Sequence, residues 1–238
     1  MLDIENLRCG YGSMDAVHDL SLEVPSGKIV ALLGPNGAGK TSTIMSVAGH
    51  VQVKAGRISF EGKDISLVPP HRRVELGIAV VPEGRRLFSD LSVKDNLVVG
   101  GYSLSKARAN ENRERVFAIF PRLQERVDQI ASSLSGGEQQ MLAMGRALMA
   151  SPRLLMVDEL SLGLMPKAID ACYSVLEKLR ESGVTILLVE QSTERAIRVA
   201  DIVCVMESGV VVWRGSASDA REDPRLIAAY LGIDPDRQ

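Results

Sequence analysis

The sequence has few of the residues that mark disulfide-bonded or metal-bound proteins. It contains three cysteines, Cys9, Cys172 and Cys204, which are scattered and form no C-x-x-C pair. The three histidines likewise show no metal-ligand spacing. These absences argue against a disulfide framework and against a zinc site, and they favour free, buried thiols.

The sequence also lacks long apolar segments and a strong net charge. Its longest apolar run is Val184 to Val189, if Thr185 is counted, whereas a membrane-spanning helix needs about 20 residues. The start of the chain, Met1 to Glu5, lacks the basic and apolar regions of a secretory signal, so we expect a cytosolic protein. A net charge of −2 gives no electrostatic reason to expect nucleic acid as a partner.

What is present fits a soluble globular protein with a sizeable core. Hydrophobic residues make up 45% of the chain and charged residues 24%, which are ordinary values. A chain of 238 residues is long enough for one large domain, or for one domain with an inserted lobe.

The most informative motif is a phosphate-binding loop that follows the apolar run Ile29 to Leu33. It reads G-x-x-x-x-G-K-T and consists of Gly34, Pro35, Asn36, Gly37, Ala38, Gly39, Lys40 and Thr41, followed by Ser42. A glycine-rich turn between a strand and a helix lets backbone N–H groups converge on phosphate oxygens. Lys40 would face the β and γ phosphates, and the Thr41 hydroxyl would bind Mg²⁺.

Strand and helix signals alternate along the chain and predict an α/β fold with a mainly parallel, helix-covered sheet. Near the N-terminus, Val17 to Val24 reads as a half-buried antiparallel strand, and the residues around Glu61 and Gly62 read as a small hairpin. Between about Glu83 and Ala150 the pattern is helical and predicts an inserted lobe. The segment Asp219 to Leu231 is predicted to be helical despite Pro224.

A second helix start occurs at Ser135, Gly136, Gly137 and Glu138. The S-x-x-E pattern is typical of a capping box, but two glycines in the first turn weaken a helix, each by up to about 1 kcal/mol relative to alanine. We therefore expect that another group approaches this backbone closely. An exposed helix N-terminus with a serine and bare amides is also suited to bind an anion.

Two further features belong beside the phosphate loop. The apolar strand Leu154 to Asp158 is followed by Glu159, so two carboxylates lie at the edge of the sheet where α/β proteins place their chemistry. Tyr11, on a loop between Gly10 and Gly12, offers a flat face for a nucleobase.

The order of these motifs resembles the nucleotide-binding subunits of ATP-binding cassette (ABC) transporters over nearly the whole chain. The segment Leu134 to Gln140 reads L-S-G-G-E-Q-Q and precedes the strand that ends in Asp158 and Glu159. The resemblance implies a P-loop NTPase fold with a RecA-like core, formed by residues 1–82 and 151–238 and carrying an N-terminal antiparallel β subdomain. It also implies a helical subdomain inserted at about residues 83–150.

The resemblance implies a role for each site residue. Asp158 acts on Mg²⁺, directly or through water, Glu159 accepts the proton of the attacking water, and Tyr11 stacks on the adenine of ATP. Glu83 stands where most members carry glutamine and can still bind Mg²⁺, and Gln191 stands where a histidine is usual and can hydrogen-bond the γ-phosphate. In a dimer, Ser135 to Glu138 of one subunit close on ATP held by the other.

Three segments together are similar to the LivF-type ATPases of branched-chain amino-acid importers. They are Val81 to Phe88 (V-P-E-G-R-R-L-F), Ser161 to Leu164 with Pro166, and Leu188 to Gln191 (L-V-E-Q). Leu160, where that branch has proline, is a difference. This likeness implies a cytoplasmic subunit on the inner face of the cell membrane, bound to two integral membrane permease subunits. It further implies a dimer with a second, different ATPase, although a homodimer is an alternative, and a separate extracytoplasmic solute-binding protein.

Other interpretations stay open at this point. Importers of urea and short-chain amides use similar ATPases. The residues Glu83 and Gln191 also suit a module that closes on ATP but hydrolyses it poorly. A soluble ABC machine acting on DNA or ribosomes is disfavoured, because such proteins usually carry long coiled-coil insertions or two fused cassettes.

Overall fold

The computed structural model describes residues 1–191, 193–223 and 226, in which two sheets are combined with helices. In chain order the elements are β1 (Leu2–Tyr11), β2 (Met14–Val24), β3 (Ile29–Leu33), α1 (Lys40–Val47), β4 (Gln52–Phe60), β5 (Lys63–Asp64), α2 (Pro70–Glu75), β6 (Ile78–Val81), α3 (Val93–Gly100), α4 (Lys106–Ile119), α5 (Pro121–Glu125), a 3-10 turn (Ala131–Ser133), α6 (Gly136–Leu148), β7 (Leu154–Asp158), α7 (Pro166–Glu181), β8 (Thr185–Glu190), α8 (Thr193–Val199), β9 (Ile202–Glu207), β10 (Val210–Ser216) and α9 (Ala217–Glu222).

A six-stranded sheet forms the centre of the fold, in the order β10-β9-β3-β8-β7-β6. Its neighbouring strands are parallel except for β9 and β10. Strands β3, β7 and β8 are buried along their whole length, because both faces of a parallel sheet are covered and a continuous apolar run is then required. The predicted mainly parallel α/β sheet is confirmed.

A four-stranded antiparallel sheet lies beside it, in the order β2-β1-β4-β5. Buried side chains of this sheet, such as Leu2 and Ile4, share one hydrophobic cluster with Val30, Leu32 and Met156 of the central sheet. The predicted N-terminal antiparallel piece and the Glu61–Gly62 hairpin are therefore confirmed. The first strand of this sheet, β1, was not predicted.

The opposite face of the central sheet is covered by helices. Alternate residues such as Ala31 and Leu33 share a second cluster with Leu97 of α3, Leu142 of α6 and Leu176 of α7. The residues between 83 and 150 form α3 to α6 and no named strand of the described part lies there. The division of the chain into a core and a helical subdomain stays a prediction.

Several local expectations are confirmed. The predicted capping box at Ser135 is present at the start of α6. The three cysteines are free and buried. Helix α9 accounts for the start of the predicted helix Asp219 to Leu231, and most of the remaining prediction lies outside the described residues.

No helix in the described part of the chain combines the length and the apolar character needed to cross a membrane.

Helix α1, which begins with Lys40 and Thr41, is held at its other end by Arg73 of α2. The Arg73 side chain is almost fully buried, and its Nη1 donates to the carbonyl oxygens of Ser46 and Val47 at 2.6 and 2.9 Å. Its other nitrogens donate to the carbonyls of Val68 and Ser66. Because the last carbonyls of a helix lack intrahelical partners, Arg73 fixes α1 to the chain that follows the antiparallel sheet.

We expect Arg73→Ala to lower the free energy of unfolding by about 3 kcal/mol, because several buried carbonyls lose a charged donor. Arg72→Ala is the matched control, since Arg72 is 64% exposed and pairs with Glu75 on the surface. That control should change stability by less than about 0.5 kcal/mol. Urea unfolding of both variants checks the prediction, and equal effects would contradict it.

Candidate active site

The phosphate loop joins β3 to α1, and two of its glycines have no room for a side chain. A Cβ on Gly34 would collide with the carbonyl oxygen of Met206, and one on Gly39 would lie 2.5 Å from the carbonyl oxygen of Ala16. Gly39 also has a φ of 101°, a left-handed conformation that other residues adopt at a cost. The loop therefore leaves its backbone bare where the first N–H groups of α1, which have no intrahelical partner, begin.

Residues distant in the sequence meet around a cavity of about 400 Å³ beside this loop. The cavity lies where β3, β6, β7 and β8 end, because parallel strands bring their carboxyl ends to one edge of the sheet. Of the predicted site residues, the following line it: Asn36, Gly37, Gly39, Lys40, Thr41, Ser42, Glu83, Glu159 and Gln191. Ala16 and Leu162 complete the lining, and neither was predicted.

The remaining predicted loop residues form the turn behind the cavity. Lys40 Nζ donates to the carbonyl oxygens of Gly34 and Pro35 at 2.9 and 3.1 Å. The Ala38 N–H donates to the Pro35 carbonyl, and the Ala38 carbonyl accepts from the Gly209 N–H. The loop is thus closed on itself and anchored to the turn between β9 and β10.

The Lys40 ammonium also faces a carboxylate. Its Nζ lies 3.6 Å from Glu159 Oε1, and the two side chains are only 5% and 13% exposed. In this arrangement the lysine charge is directed into the cavity and is compensated by neighbouring oxygens. Phosphate oxygens entering the cavity would meet a positive charge that is little screened by water.

Asp158 and Thr41 supply oxygen atoms suited to a magnesium ion. Thr41 Oγ1 donates to Asp158 Oδ1 at 3.2 Å, while Asp158 Oδ2 is buried without a hydrogen-bond partner among the described residues. Burial raises the pKa of Asp158 to about 6, and the charges of Glu159 and Glu83 add to that rise while the Thr41 hydrogen bond opposes it. A divalent cation would bind the unpaired oxygen of Asp158 and would offset the negative charges of Asp158, Glu159 and Glu83.

These residues fit Mg²⁺ bound together with a nucleotide better than a metal ion held by protein alone. No group of three or more His, Cys, Asp or Glu side chains suited to hold a metal occurs in the described part of the chain. Magnesium is commonly bound by one or two carboxylates and completed by substrate phosphates and water. The pair Thr41 and Asp158, with Glu83 nearby, matches that pattern.

Glu159 is held in an unusual backbone conformation. Its φ is 51°, a left-handed value that is uncommon for a residue other than glycine. The Glu159 N–H donates to the Val189 carbonyl at 2.9 Å, and Glu159 Oε2 accepts from the Gln191 N–H at 3.3 Å. These contacts come from β8 and from the residue just after it, so this strand end orients the carboxylate at the cavity.

Tyr11 does not line the phosphate cavity. It is the last residue of β1, so its predicted position on a loop was wrong. Tyr11 is 59% exposed and lines a neighbouring groove of about 740 Å³ whose wall also includes Thr41. The ring therefore borders a different space from the one that the lysine faces.

Residues Ser135 to Glu138 also lie outside the phosphate cavity of their own chain. Ser135 and Glu138 satisfy each other's backbone at the start of α6, and Glu138 Oε1 pairs with Arg126 Nε at 2.7 Å. A Cβ on Gly137 would lie 2.9 Å from the Cβ of Ala168, so α7 is one group that approaches this helix start closely. Packing against α7 of the same chain therefore explains part of the need for glycine at position 137.

A buried contact beside Glu159 was missed in the sequence. Glu190, the last residue of β8, accepts hydrogen bonds from Ser161 and from Tyr173 of α7. The available signal was a carboxylate at the end of an apolar strand, directly before Gln191. Its partners could not be identified, because they are separated from it by 29 and 17 residues.

Comparison with known proteins agrees with this architecture. Residues 17–161, more than half of the chain, match the sequence model of the family described as ABC transporter. The high-affinity branched-chain amino acid transport ATP-binding protein BraG of Pseudomonas aeruginosa is 44% identical, over 98% of this chain and 100% of its own length.

Two further comparisons cover nearly the full chain. The probable branched-chain amino acid transport ATP-binding protein LivF of Archaeoglobus fulgidus is 34% identical, over 98% of this chain and 99% of its own length. A crystal structure of a nucleotide-free ATP-binding cassette from an ABC transporter superposes with a TM-score of 0.86 at 25% identity, covering 98% of this chain and 99% of that one.

The raised pKa of Asp158 predicts a pH-dependent stability in the absence of nucleotide and metal. A carboxyl that titrates near pH 6 in the fold, above its ordinary 3.8, gives stability at low pH that is lost as the pH rises through about 6. We therefore expect Asp158→Asn to be more stable than the wild type at pH 8, on the order of 2–3 kcal/mol, and the gain to shrink towards pH 5.

Urea unfolding with EDTA at the two pH values measures this difference. Asp128→Asn, which makes the same chemical change at an exposed position, is the control and should show no such gain. A pH-independent effect of Asp158→Asn would contradict the assignment.

Proposed function

The chain belongs to the ABC transporter family, and from that premise we propose that it is the ATP-hydrolysing subunit of an importer of branched-chain amino acids. It is an ATP-binding cassette of the kind that serves as the ATPase subunit of these transporters. The observation that carries the proposal is the single cavity that brings Lys40, Thr41 and Glu159 together. The choice of solute is supported by the likeness to BraG and LivF along their whole lengths.

We infer that the triphosphate of ATP enters the cavity beside the phosphate loop. The bare N–H groups at the start of α1 bind phosphate oxygens, and Lys40 turns from the Gly34 and Pro35 carbonyls towards the β and γ phosphates. The adenine then lies against Tyr11, whose exposed ring borders the adjacent groove. Thr41 and Asp158, with Glu83, would hold Mg²⁺, which offsets the negative charge of the phosphates when it is bound.

Hydrolysis then depends on Glu159 as the proton acceptor of the attacking water. In the nucleotide-free chain this carboxylate is paired with Lys40 at 3.6 Å. Phosphates that attract Lys40 weaken that pair and leave Glu159 free to accept a proton while its orientation is maintained by Gln191 N–H. The Gln191 side chain lines the cavity and donates to the γ-phosphate through its amide, without carrying a charge.

The site is completed by a second cassette. Ser135 to Glu138 do not line the cavity of their own chain, so their helix start is available to ATP held by a partner. Leu162 lines the cavity and is 56% exposed, and Met165, three residues further along the chain, is 75% exposed. Together they give an apolar surface for that partner. We propose a heterodimer with a different ATPase, and a homodimer is the alternative.

The remaining partners are membrane proteins. We propose that residues 83–150 form a helical subdomain and that the chain works with two permease subunits. One of them docks on the helical side of the groove between this subdomain and the core, and the Tyr11 side is left to the adenine. That groove is lined by exposed apolar side chains, including Phe88, Val99 and Tyr102, and it adjoins the loop that carries Glu83. The chain would then lie in the cytoplasm on the inner face of the membrane, with a solute-binding protein on the other side.

A second function has one observation in its favour. Glu83 adds a further carboxylate to a cavity that already contains Glu159, and its charge raises the pKa of Asp158. Extra negative charge beside the γ-phosphate suits a module that closes on ATP but hydrolyses it slowly. Stimulation of ATP hydrolysis by the membrane partners distinguishes the two functions.

We expect Glu159→Gln to bind ATP as the wild type does and to lose turnover by about 10²–10⁴-fold, because the proton acceptor is removed and the shape is kept. Fluorescent-nucleotide titration and steady-state phosphate release measure the two effects. Lys40→Ala is the contrasting variant and should lose ATP binding itself. Full turnover in Glu159→Gln, or unchanged binding in Lys40→Ala, would contradict the site.

We expect the chain, copurified with its membrane subunits and reconstituted in vesicles, to hydrolyse ATP faster when the solute-binding protein carries leucine, isoleucine or valine. Uptake of labelled leucine, measured in parallel, should cease in the Glu159→Gln complex. Stimulation by urea or short amides, with none by leucine, would favour the alternative importer. No stimulation by any solute would favour the slowly hydrolysing module.

A further inference from the structure

Glu190 is a buried carboxylate that the proposed mechanism does not use. It is the last residue of β8, it has no exposed surface, and it lies next to Gln191. Removing a carboxylate from water is unfavourable unless several groups donate hydrogen bonds to it. The groups that do so indicate what the residue is for.

Three neutral groups donate to the two oxygens of Glu190. The Ser161 N–H and the Tyr173 hydroxyl donate to Oε1 at 3.1 and 3.0 Å. The Ser161 hydroxyl donates to Oε2 at 2.9 Å. Burial raises the pKa of the Tyr173 phenol far above its ordinary value, so this group stays a donor. Glu190 therefore binds both the backbone and the side chain of the residue two positions after Glu159.

The same strand end holds this loop at two other points. The Val189 carbonyl accepts from the Glu159 N–H, and the Gln191 N–H donates to the Glu159 carboxylate. Three consecutive residues at the end of β8 and just after it thus bind the segment from Glu159 to Ser161. Glu190 provides the contact furthest along the loop.

We propose that Glu190 is a positioning residue that fixes the loop of residues 159–164, and through it the proton acceptor Glu159 and the partner-facing Leu162. This inference rests on the proposed ATPase function and extends it to a buried residue that does not line the phosphate cavity. Tyr173 supports the carboxylate from α7, so the loop is tied to the helix behind it as well as to the sheet.

The backbone of Glu159 shows why such a contact is needed. A φ of 51° is unfavourable for glutamate, and the chain would relax if its neighbours did not maintain it. Without Glu190, the Ser161 N–H loses its partner and the loop beyond Glu159 is released. A small displacement of the carboxylate from the attacking water is enough to slow the reaction strongly.

Loop order can be measured without any catalytic activity. Leu162→Cys carries a nitroxide label at an exposed position of the loop, and the three native cysteines are buried, so they react slowly. In the nucleotide-free chain we expect a restrained electron paramagnetic resonance spectrum, which becomes mobile when Glu190→Ala is added. Glu190→Gln, which keeps an acceptor for the Ser161 N–H, should restore most of the restraint.

Kinetics of the assembled transporter test the consequence for the reaction. We expect Glu190→Ala to lower kcat for ATP hydrolysis by about tenfold or more, while KM and the ATP dissociation constant stay near the wild-type values. Glu190→Gln should recover most of kcat. Leu176→Ala, which removes a buried side chain one turn along α7 from Tyr173 and outside this contact, controls for lost stability and should leave kcat unchanged.

The outcomes separate this proposal from the proposed function. A restrained label in Glu190→Ala overturns the positioning role even if the wild type hydrolyses ATP normally. A mobile label with unchanged kcat, or an equal loss of kcat in Leu176→Ala, overturns its link to catalysis. A wild-type complex that neither binds nor hydrolyses ATP overturns the ATPase function, whatever the label shows.

Discussion

The rest of the site depends on the interactions of one group, the buried ammonium of Lys40. Its charge is compensated by two loop carbonyls and by Glu159, and it is almost inaccessible to water. The oxygen atoms that accept hydrogen bonds from a lysine can belong to the protein or to a phosphate. The cavity beside the loop has room for a phosphate. The glycines at positions 34 and 39 follow from this arrangement, because any side chain there would collide with Met206 or Ala16.

The parallel sheet explains how residues that are far apart in the sequence come together in one site. Strands β3, β7 and β8 are adjacent in the sheet. Asp158 at the end of β7, Glu159 and Gln191 just beyond β7 and β8, and Lys40 at the start of α1 therefore lie at one edge, although they are far apart in sequence. The antiparallel sheet adds Tyr11 from the side at the end of β1. The order of the strands therefore determines which side chains meet at the site. The helices that cover the sheet support the loops that follow these strands.

Much of the fold and of the site could be predicted from the sequence, because the signals for them lie within short segments of the chain. Continuous apolar runs mark β3, β7 and β8, and each ends at a residue with chemical character. Strand β1 was missed because its alternation breaks at Asn6, which has a φ of 47° beside a change of register. For contacts between distant residues the sequence signals one side only. The glycines predict a close approach at Gly137, and the end of an apolar strand marks Glu190, but neither signal identifies the partners Ala168 and Ser161.

The unfavourable features of the fold collect at the same sheet edge. Asp158 has a buried oxygen without a partner in the described part of the chain, Glu159 has a left-handed backbone, and Glu190 is a carboxylate without exposure. Each of these lowers the stability of the nucleotide-free chain. A metal ion would offset the first, because it supplies positive charge to Asp158. Hydrogen bonds with Val189 and Gln191 support Glu159, and hydrogen bonds from Ser161 and Tyr173 offset the burial of Glu190. The nucleotide-free protein thus supports Glu159 and Glu190 through its own hydrogen bonds, whereas one oxygen of Asp158 has no partner among the described residues and would gain one from a bound metal ion.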